Sequence, residues 1–299
     1  MNAGERWRAV GLGVGWRSSS VVGAIVVLGL AWLGWPVWGS LSSPTGSELG
    51  AAAPLLLAAL TLCLVALAVA IWLDAGRDFG PLSYCLVLIL ANTGLRLTIN
   101  PGAAGIEVVH VLPLLAGAAA GAPAGFLVGA AGMLFSSAVI NGVGEMLPGQ
   151  MMVLGLAGAA GGLAWRARPL PAWLLSLPLA VITGLGSGVL LNLTGWALEP
   201  GTTTTSFFPG LPPAQVVARL WEYTVATSLA YDLTRGVTTA VIIGCLGLPL
   251  LRSAQLTGLR PLAPPSLAGT PTTRLNPAAV SRRDDRDRLA TMWKTGDPS

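Results

Sequence analysis

Two pairs of ionisable residues lie three positions apart within stretches of the chain that are otherwise apolar. Asp232 and Arg235 form one pair, and Glu107 and His110, the only histidine, form the other. Residues three apart share one face of a helix, so Asp232 and Arg235 can form an intrahelical ion pair. An ionisable group inside a membrane needs a partner, a cavity or a function. The pair is therefore either a self-contained structural contact or part of a binding site.

A metal or catalytic role for these residues finds little support elsewhere in the sequence. One Glu-x-x-His motif cannot build a di-metal site, and a zinc ion would lack its other ligands. The chain has no nucleotide-hydrolysing motif, and Ser187, within Gly-Leu-Gly-Ser-Gly, does not fit the nucleophile elbow of hydrolases. We expect no enzyme, no metal and no cofactor, and a hydrogen-bonding role for Glu107 and His110.

The composition predicts an all-α integral membrane protein. Of 299 residues, 53% are hydrophobic and only 10% are charged, and the mean hydropathy is +0.70. A soluble domain carries about 25% charged residues, which it needs to face water. Cys63, Cys85 and Cys245 lie far apart in apolar runs, so neither a disulfide framework nor a metal knuckle is expected.

Hydropathy divides the chain into about eight transmembrane segments, because roughly 20 apolar residues cross a bilayer as a helix. We place them near 20–40, 51–73, 81–98, 106–120, 124–140, 150–166, 172–198 and 229–251. The first run follows three arginines and could be a signal peptide, but its length and its three tryptophans near 32–38 favour a retained span.

The basic residues predict the orientation of these segments. The connections near 41–50, 99–105 and 141–149 contain no Lys or Arg, and the connection at 199–221 contains only Arg219. The positive-inside rule therefore predicts a multi-pass protein of the cell membrane with both termini cytoplasmic. We expect the long outer loop from Glu199 to Trp221 to act as a lid, and the tail after residue 253, rich in Pro, Thr and Arg, to be disordered.

Polar residues concentrate toward the predicted outer ends of the segments. This distribution predicts a polar pocket that opens outward above an apolar, glycine-packed floor. A proton or ion relay would instead need acidic residues at successive depths across the whole membrane. The alternative is that these groups anchor the helices at the headgroup level. The candidate substrate-binding residues are Asn92, Arg96, Glu107, His110, Asn141, Glu145, Gln150, Asn192, Tyr223, Asp232 and Arg235.

Small residues at a spacing of four allow helices to approach closely in lipid. Gly117, Gly121, Gly125 and Gly129 form such a ladder, and Gly158 with Gly162 and Gly184 with Gly188 form further pairs. These residues either dock a partner subunit or pack within the bundle, and the sequence leaves both open.

Two stretches of the chain resemble the substrate-binding S components of energy-coupling factor (ECF) vitamin transporters. The first, from Leu112 to Leu163, has a glycine-rich helix pair followed by a loop that matches the family's loop. The second, from Thr227 to Arg252, resembles the family's last helix, with its Asp-x-x-Arg and a terminal Leu-Gly-x-Pro. The matching loop residues are Gly142, Gly144, Pro148, Gln150 and Met151, while Glu145, Met146 and Gly149 replace the family's Pro, Trp and Phe.

The resemblance implies a six-helix substrate-binding core at 81–252, preceded by two extra helices at 20–80 and an amino-terminal segment at 1–19, and followed by the tail at 253–299. Such a subunit captures a water-soluble vitamin or precursor at the outer face. It then docks on a transmembrane T subunit that two ATPases drive. The family's alanine ladder for this docking is not visible in residues 81–97, and the resemblance leaves Ala66 with Ala70, or the Gly117 to Gly129 ladder, in its place. Members of the family that import nickel or cobalt begin with Met-His, whereas this sequence begins Met1-Asn2-Ala3. A bare metal ion is therefore not the expected substrate. The alternative is a self-sufficient secondary transporter or channel for a small solute.

Overall fold

The computed structural model describes residues 14–38, 46–99, 106–140, 142–198 and 206–256, which form helices and connections without a strand. Seven of the helices are long and apolar enough to cross a membrane. With the shorter apolar helix at Val111–Ala120, the chain is an all-α, multi-pass membrane protein of about eight helices, as predicted. The described helices are α1 (Trp16–Leu33), α2 (Trp35–Trp38), α3 (Gly46–Asp74), α4 (Gly80–Thr98), α5 (Val111–Ala120), α6 (Ala122–Ile140), α7 (Leu147–Gly161), α8 (Pro169–Leu198), α9 (Pro213–Thr227) and α10 (Leu229–Leu256).

The helix bundle has two ends, and each can be defined by residues that lie there. At one end, which we call the terminal end, the Gly15 backbone lies on Asp74 and Gly121 lies near Val14 and Trp165. At the opposite end, which we call the site end, Trp35, Met146 and Thr194 line one small crevice.

Glycines allow α5, α6 and α7 to pack with their backbones almost in contact. A Cβ atom at Gly117 or Gly125 would overlap the carbonyl oxygen of Gly158 in α7, and one at Gly129 would overlap that of Leu154. Between α5 and α6 the chain turns at Gly121, where φ is +92° and ψ is 166°, a conformation open essentially only to glycine. This seam forms the buried centre of the bundle, around which α4, α8, α10 and the α1–α3 pair pack.

The predicted segment at 106–120 is helical only over its last ten residues. Residues 106–110 lie outside the helix and lead into α5, which at about 1.5 Å per residue is roughly 15 Å long, half of a bilayer core. Non-helical backbone at membrane depth is tolerated where protein or a water-filled cavity surrounds it. The segment expected near 106–120 is therefore a short helix preceded by non-helical residues, and Glu107 and His110 lie in that non-helical part.

The predicted outer loop at 199–221 also differs from the structure. Residues 206–212 are non-helical, but α9 begins at Pro213 and extends to Thr227. Its buried stripe contains Val216, Leu220 and Thr224, one residue per turn on one face. The prediction of a lid therefore falls partly on a helix, while residues 199–205 and the tail from 257 onward lie outside the described residues.

The start of α1 is capped from a distance by the last residue of α3. The Asp74 Oδ2 atom accepts hydrogen bonds from the backbone N–H groups of Gly15 at 3.0 Å and Ser18 at 2.8 Å. The Arg17 guanidinium lies 3.9 Å from Oδ1. A carboxylate at a helix N-terminus satisfies unpaired N–H groups and complements the helix dipole.

Replacing Asp74 with alanine is expected to destabilise the α1–α3 pair, because two N–H groups lose their acceptor. Losing an N-terminal cap costs about 0.5–2 kcal/mol. The midpoint of thermal unfolding in detergent micelles should fall for Asp74→Ala and fall less for Asp74→Asn, which keeps an acceptor. Glu222→Ala, at an exposed position, is the control, and equal midpoints for Asp74→Ala and wild type would contradict the capping role.

Candidate functional site

A network centred on Arg235 connects three parts of the bundle at membrane depth. The Arg235 Nε atom donates to Glu107 Oε2 at 2.7 Å, and Nη1 donates to Asp232 Oδ1 at 2.8 Å and to Ser187 Oγ at 3.2 Å. Tyr231 donates its hydroxyl to Glu107 Oε1 at 2.9 Å. The guanidinium also lies 4.9 Å from the centre of the Tyr231 ring. One cation thus holds two carboxylates, and the 106–110 segment is fixed to α8 and α10.

Two glycines of α8 make room for this network. A Cβ at Gly184 would meet the backbone of Gly236 in α10, and a Cβ at Gly188 would overlap the Asp232 carboxylate. The two helices therefore approach closely, and the carboxylate of Asp232 lies directly on the α8 backbone. Gly184 and Gly188 thus form a packing contact between α8 and α10, beside the ion pair of Asp232 with Arg235.

A second polar group lies beside the first, at the site-end half of α4. Arg96 Nη1 donates to the hydroxyls of Ser136 at 2.8 Å and Ser137 at 2.9 Å, both on α6. Arg96 and Glu107 line a crevice of about 10 Å³ together with Ile99, Val108 and Val109, a space for about one water molecule. The two charged groups interact electrostatically across it.

Two predicted site residues are buried without a hydrogen-bond partner among the described residues. Asn92 is 1% exposed and His110 is 3% exposed, and the side-chain N and O atoms of both are unsatisfied. Asn92 packs beside Gly132 of α6, and the imidazole of His110 lies within electrostatic range of Arg235 and Glu107. Buried polar groups are normally hydrogen-bonded, so these two are available to a water molecule or a ligand. The hydrogen bonds expected for His110 are absent here, while those expected for Glu107 are present.

The remaining predicted binding residues make other contacts. Asn192 donates to Thr224 at 3.1 Å and Ser228 at 2.7 Å, which ties α8 to the junction of α9 and α10. Tyr223 packs at 6.2 Å from the Trp196 ring. Glu145 is exposed and lines a separate crevice of about 20 Å³. Gln150 is half-buried in the first turn of α7, and Asn141 lies outside the described residues.

The residues predicted to dock a partner subunit are mostly enclosed. Gly117, Gly125 and Gly129 pack on α7 within the same chain, and Gly121 forms the turn before α6. Of the alanine pair in α3, Ala70 is buried and Ala66 is exposed. The glycine ladder therefore serves packing within the bundle in this structure, which was the alternative reading of its spacing.

Sequence reasoning missed Tyr231, Ser136 and Ser137 as site residues and considered Ser187 only as a nucleophile. Tyr231 and Arg235 are four positions apart in α10 and so share a face, a signal that was available. Ser136 and Ser187 are buried, with only 1% and 3% of their surface exposed. Nothing in the local sequence links either of them to an arginine on another helix.

The groups at this site form hydrogen bonds and ion pairs. The Ser187 hydroxyl donates to the Gly184 carbonyl at 2.7 Å and accepts from Arg235, so it is held between a carbonyl and a cation. Within the described ranges, no group of three His, Cys, Asp or Glu residues could hold a metal ion. The arrangement can bind a polar solute by hydrogen bonds and charge.

The contact between Gly188 and Asp232 predicts a strong effect of a single methyl group. Gly188→Ala is expected to displace the Asp232 carboxylate and break its ion pair with Arg235, which should lower the thermal midpoint in detergent. Gly186→Ala is the matched control, since a Cβ at Gly186 meets nothing within 4 Å and alanine favours the helix. Equal loss of stability in both variants would contradict the assigned contact.

Comparisons with protein-family models, with curated proteins and with solved structures find no match to this chain. What the structure itself establishes is an all-α multi-pass membrane protein that carries a buried ion-pair network beside unsatisfied polar side chains at one end.

Proposed function

We propose that this chain is the substrate-capture subunit of an ECF-type importer, which binds a water-soluble vitamin or precursor at the outer face of the cell membrane. In this proposal the site end faces outside, both termini are cytoplasmic, and a separate T subunit with two ATPases supplies the energy. The observation that carries the proposal is the network of Glu107, Asp232 and Arg235 at the site end, above the glycine-packed seam.

The position of this network supports capture from one side. Arg96, Glu107, Asp232 and Arg235 all lie in the site-end half, and α5, α6 and α7 close the space toward the terminal end with backbone contacts at Gly117, Gly125 and Gly158. A charged network confined to one half of the bundle suits a binding subunit whose release step is driven by partners.

Ligand entry requires part of the site end to move. The two crevices there have volumes of about 10 and 20 Å³, whereas small-molecule sites are about 300–1,000 Å³. In this proposal the part that moves to admit the ligand is a group of aromatic rings that we call the aromatic cap. It consists of Trp35, Trp196, Phe207 and Tyr223. Phe207 makes edge contacts at 5.8 Å with Trp35 and at 5.2 Å with Trp196, and these contacts join α2, α8 and the segment before α9.

Affinity purification of the full chain from its native membrane tests the proposal directly. We expect a transmembrane partner and two ATPases to co-purify, and mass spectrometry to find a vitamin-like small molecule bound to the chain. Reconstituted chain that moves a solute down an ion gradient without partners would overturn the proposal in favour of a secondary transporter.

Gln150 and Asp232 are expected to contribute to ligand retention, because both match motif positions of the family. Gln150→Ala and Asp232→Asn should each lower the affinity for the co-purified small molecule by more than about tenfold, which corresponds to about 1.4 kcal/mol. Gln215→Ala, on the exposed face of α9, is the control. Unchanged affinity in both site variants would confine these residues to folding.

A further inference from the structure

The helix α9 exposes an apolar stripe that no part of the described chain covers. Val217, Trp221 and Val225 are 50%, 60% and 48% exposed, and their spacing of four places them on one helix face. The neighbouring stripe of Val216, Leu220 and Thr224 is buried against the bundle. The bundle therefore covers only part of the apolar surface of α9 and leaves the stripe of Val217, Trp221 and Val225 exposed.

A third side of α9 is polar, which gives the helix a defined rotation. Gln215 and Glu222 are exposed and, at 100° per residue, lie about 120° and about 100° around the helix axis from Trp221. An amphipathic helix with one apolar and one polar exposed face suits the plane of a membrane interface.

The surroundings of the stripe indicate what covers it. The helix α9 packs beside α2 and α10. Trp38 of α2 is 63% exposed, and Leu233 and Val237 of the spanning helix α10 are each 48% exposed. A spanning helix meets lipid with its exposed apolar residues, and tryptophan is enriched at the membrane interface. The stripe is therefore on a helix that packs beside a lipid-facing helix, and it contains a tryptophan, the residue type that is enriched at the membrane interface.

We propose that α9 lies in the membrane interface at the site end, with Val217, Trp221 and Val225 inserted into the lipid of that leaflet and Glu222 in water. This inference does not depend on the proposed function. It means that one side of the aromatic cap is attached to the bilayer, because Tyr223 on α9 packs against Trp196, so that a displacement of α9 relative to the membrane acts directly on the cap.

Site-directed spin labelling of the full chain in lipid nanodiscs tests this placement. Single cysteines are introduced at residues 215, 217, 221, 222 and 225 in a background in which Cys63, Cys85 and Cys245 are alanine, and collision rates with oxygen and with a water-soluble nickel chelate are measured. We expect the oxygen-to-nickel ratio to be high at 217, 221 and 225 and low at 215 and 222.

Two results would overturn the proposal. Labels at 217, 221 and 225 with oxygen-to-nickel ratios as low as those at 215 and 222 would place the stripe in water. Dipolar broadening between labels at 221 on two chains, at high protein-to-disc ratio and lost on dilution with unlabelled chain, would assign the stripe to contact with a second copy. The labels at 217 and 225 keep the test decisive if the Trp221→Cys variant does not fold.

Discussion

Replacing Arg235 with methionine is expected to be the most destabilising change in the site. Methionine retains much of the side-chain length but leaves Glu107 and Asp232, which accept hydrogen bonds from Arg235 at 2.7 and 2.8 Å, without their cation. Removing one partner of a buried ion pair costs about 3–5 kcal/mol, because the remaining charge stays buried and uncompensated. The measurement is the midpoint of unfolding, by heat or by a denaturing detergent, of purified protein.

Neutralising the partners should reverse much of this loss. In the triple variant Glu107→Gln, Asp232→Asn and Arg235→Met no buried charge remains in the network, so its stability is expected to exceed that of Arg235→Met alone. Glu107→Gln also keeps an acceptor for the Tyr231 hydroxyl. If the triple variant were less stable than the single one, the cost would come from lost packing at residue 235 and the electrostatic explanation would be wrong.

A methyl group at Gly158 is expected to separate the three central helices. Its Cβ would overlap the carbonyl oxygen and carbon of Gly125 in α6, and backbone atoms cannot move aside by changing a rotamer. Overpacking a close-packed interior costs about 1–3 kcal/mol, and occasionally more, and a backbone clash belongs at the upper end of that range. We expect Gly158→Ala to lower the yield of monodisperse protein and the thermal midpoint.

Gly94→Ala is the matched control for this experiment. Gly94 is also a glycine inside a predicted span, in α4, but a Cβ there meets nothing within 4 Å. Because alanine favours helix over glycine by up to about 1 kcal/mol, the control should be neutral or slightly stabilising. A similar loss in both variants would show that α6 and α7 are not packed at Gly125 and Gly158 as described.

Hydropathy and local spacing predicted much of the fold. Seven of the eight predicted segments coincide with apolar helices of spanning length, because a spanning helix must be apolar along its own length whatever its neighbours are. The ion pair of Asp232 with Arg235 was equally predictable, since a separation of three residues brings two side chains together within a single helix.

Other features depended on contacts between distant residues. Glu107 and Arg235 are 128 positions apart, and no local pattern indicates that they meet. The same holds for Asp74 and Gly15, 59 positions apart. The helix α9 was missed because a search for runs of about 20 apolar residues passes over a 15-residue helix with mixed composition.

The sequence by itself therefore determined the class of protein, the approximate spans and the concentration of polar residues toward one set of segment ends. These properties follow from the solvation of each segment, which is a sum over its own residues. Only the tertiary structure decided that Arg235 joins Glu107 to Asp232 and that the glycines of α6 face α7. Those contacts depend on how helices are rotated and brought together, and close packing selects one arrangement among many that hydropathy allows.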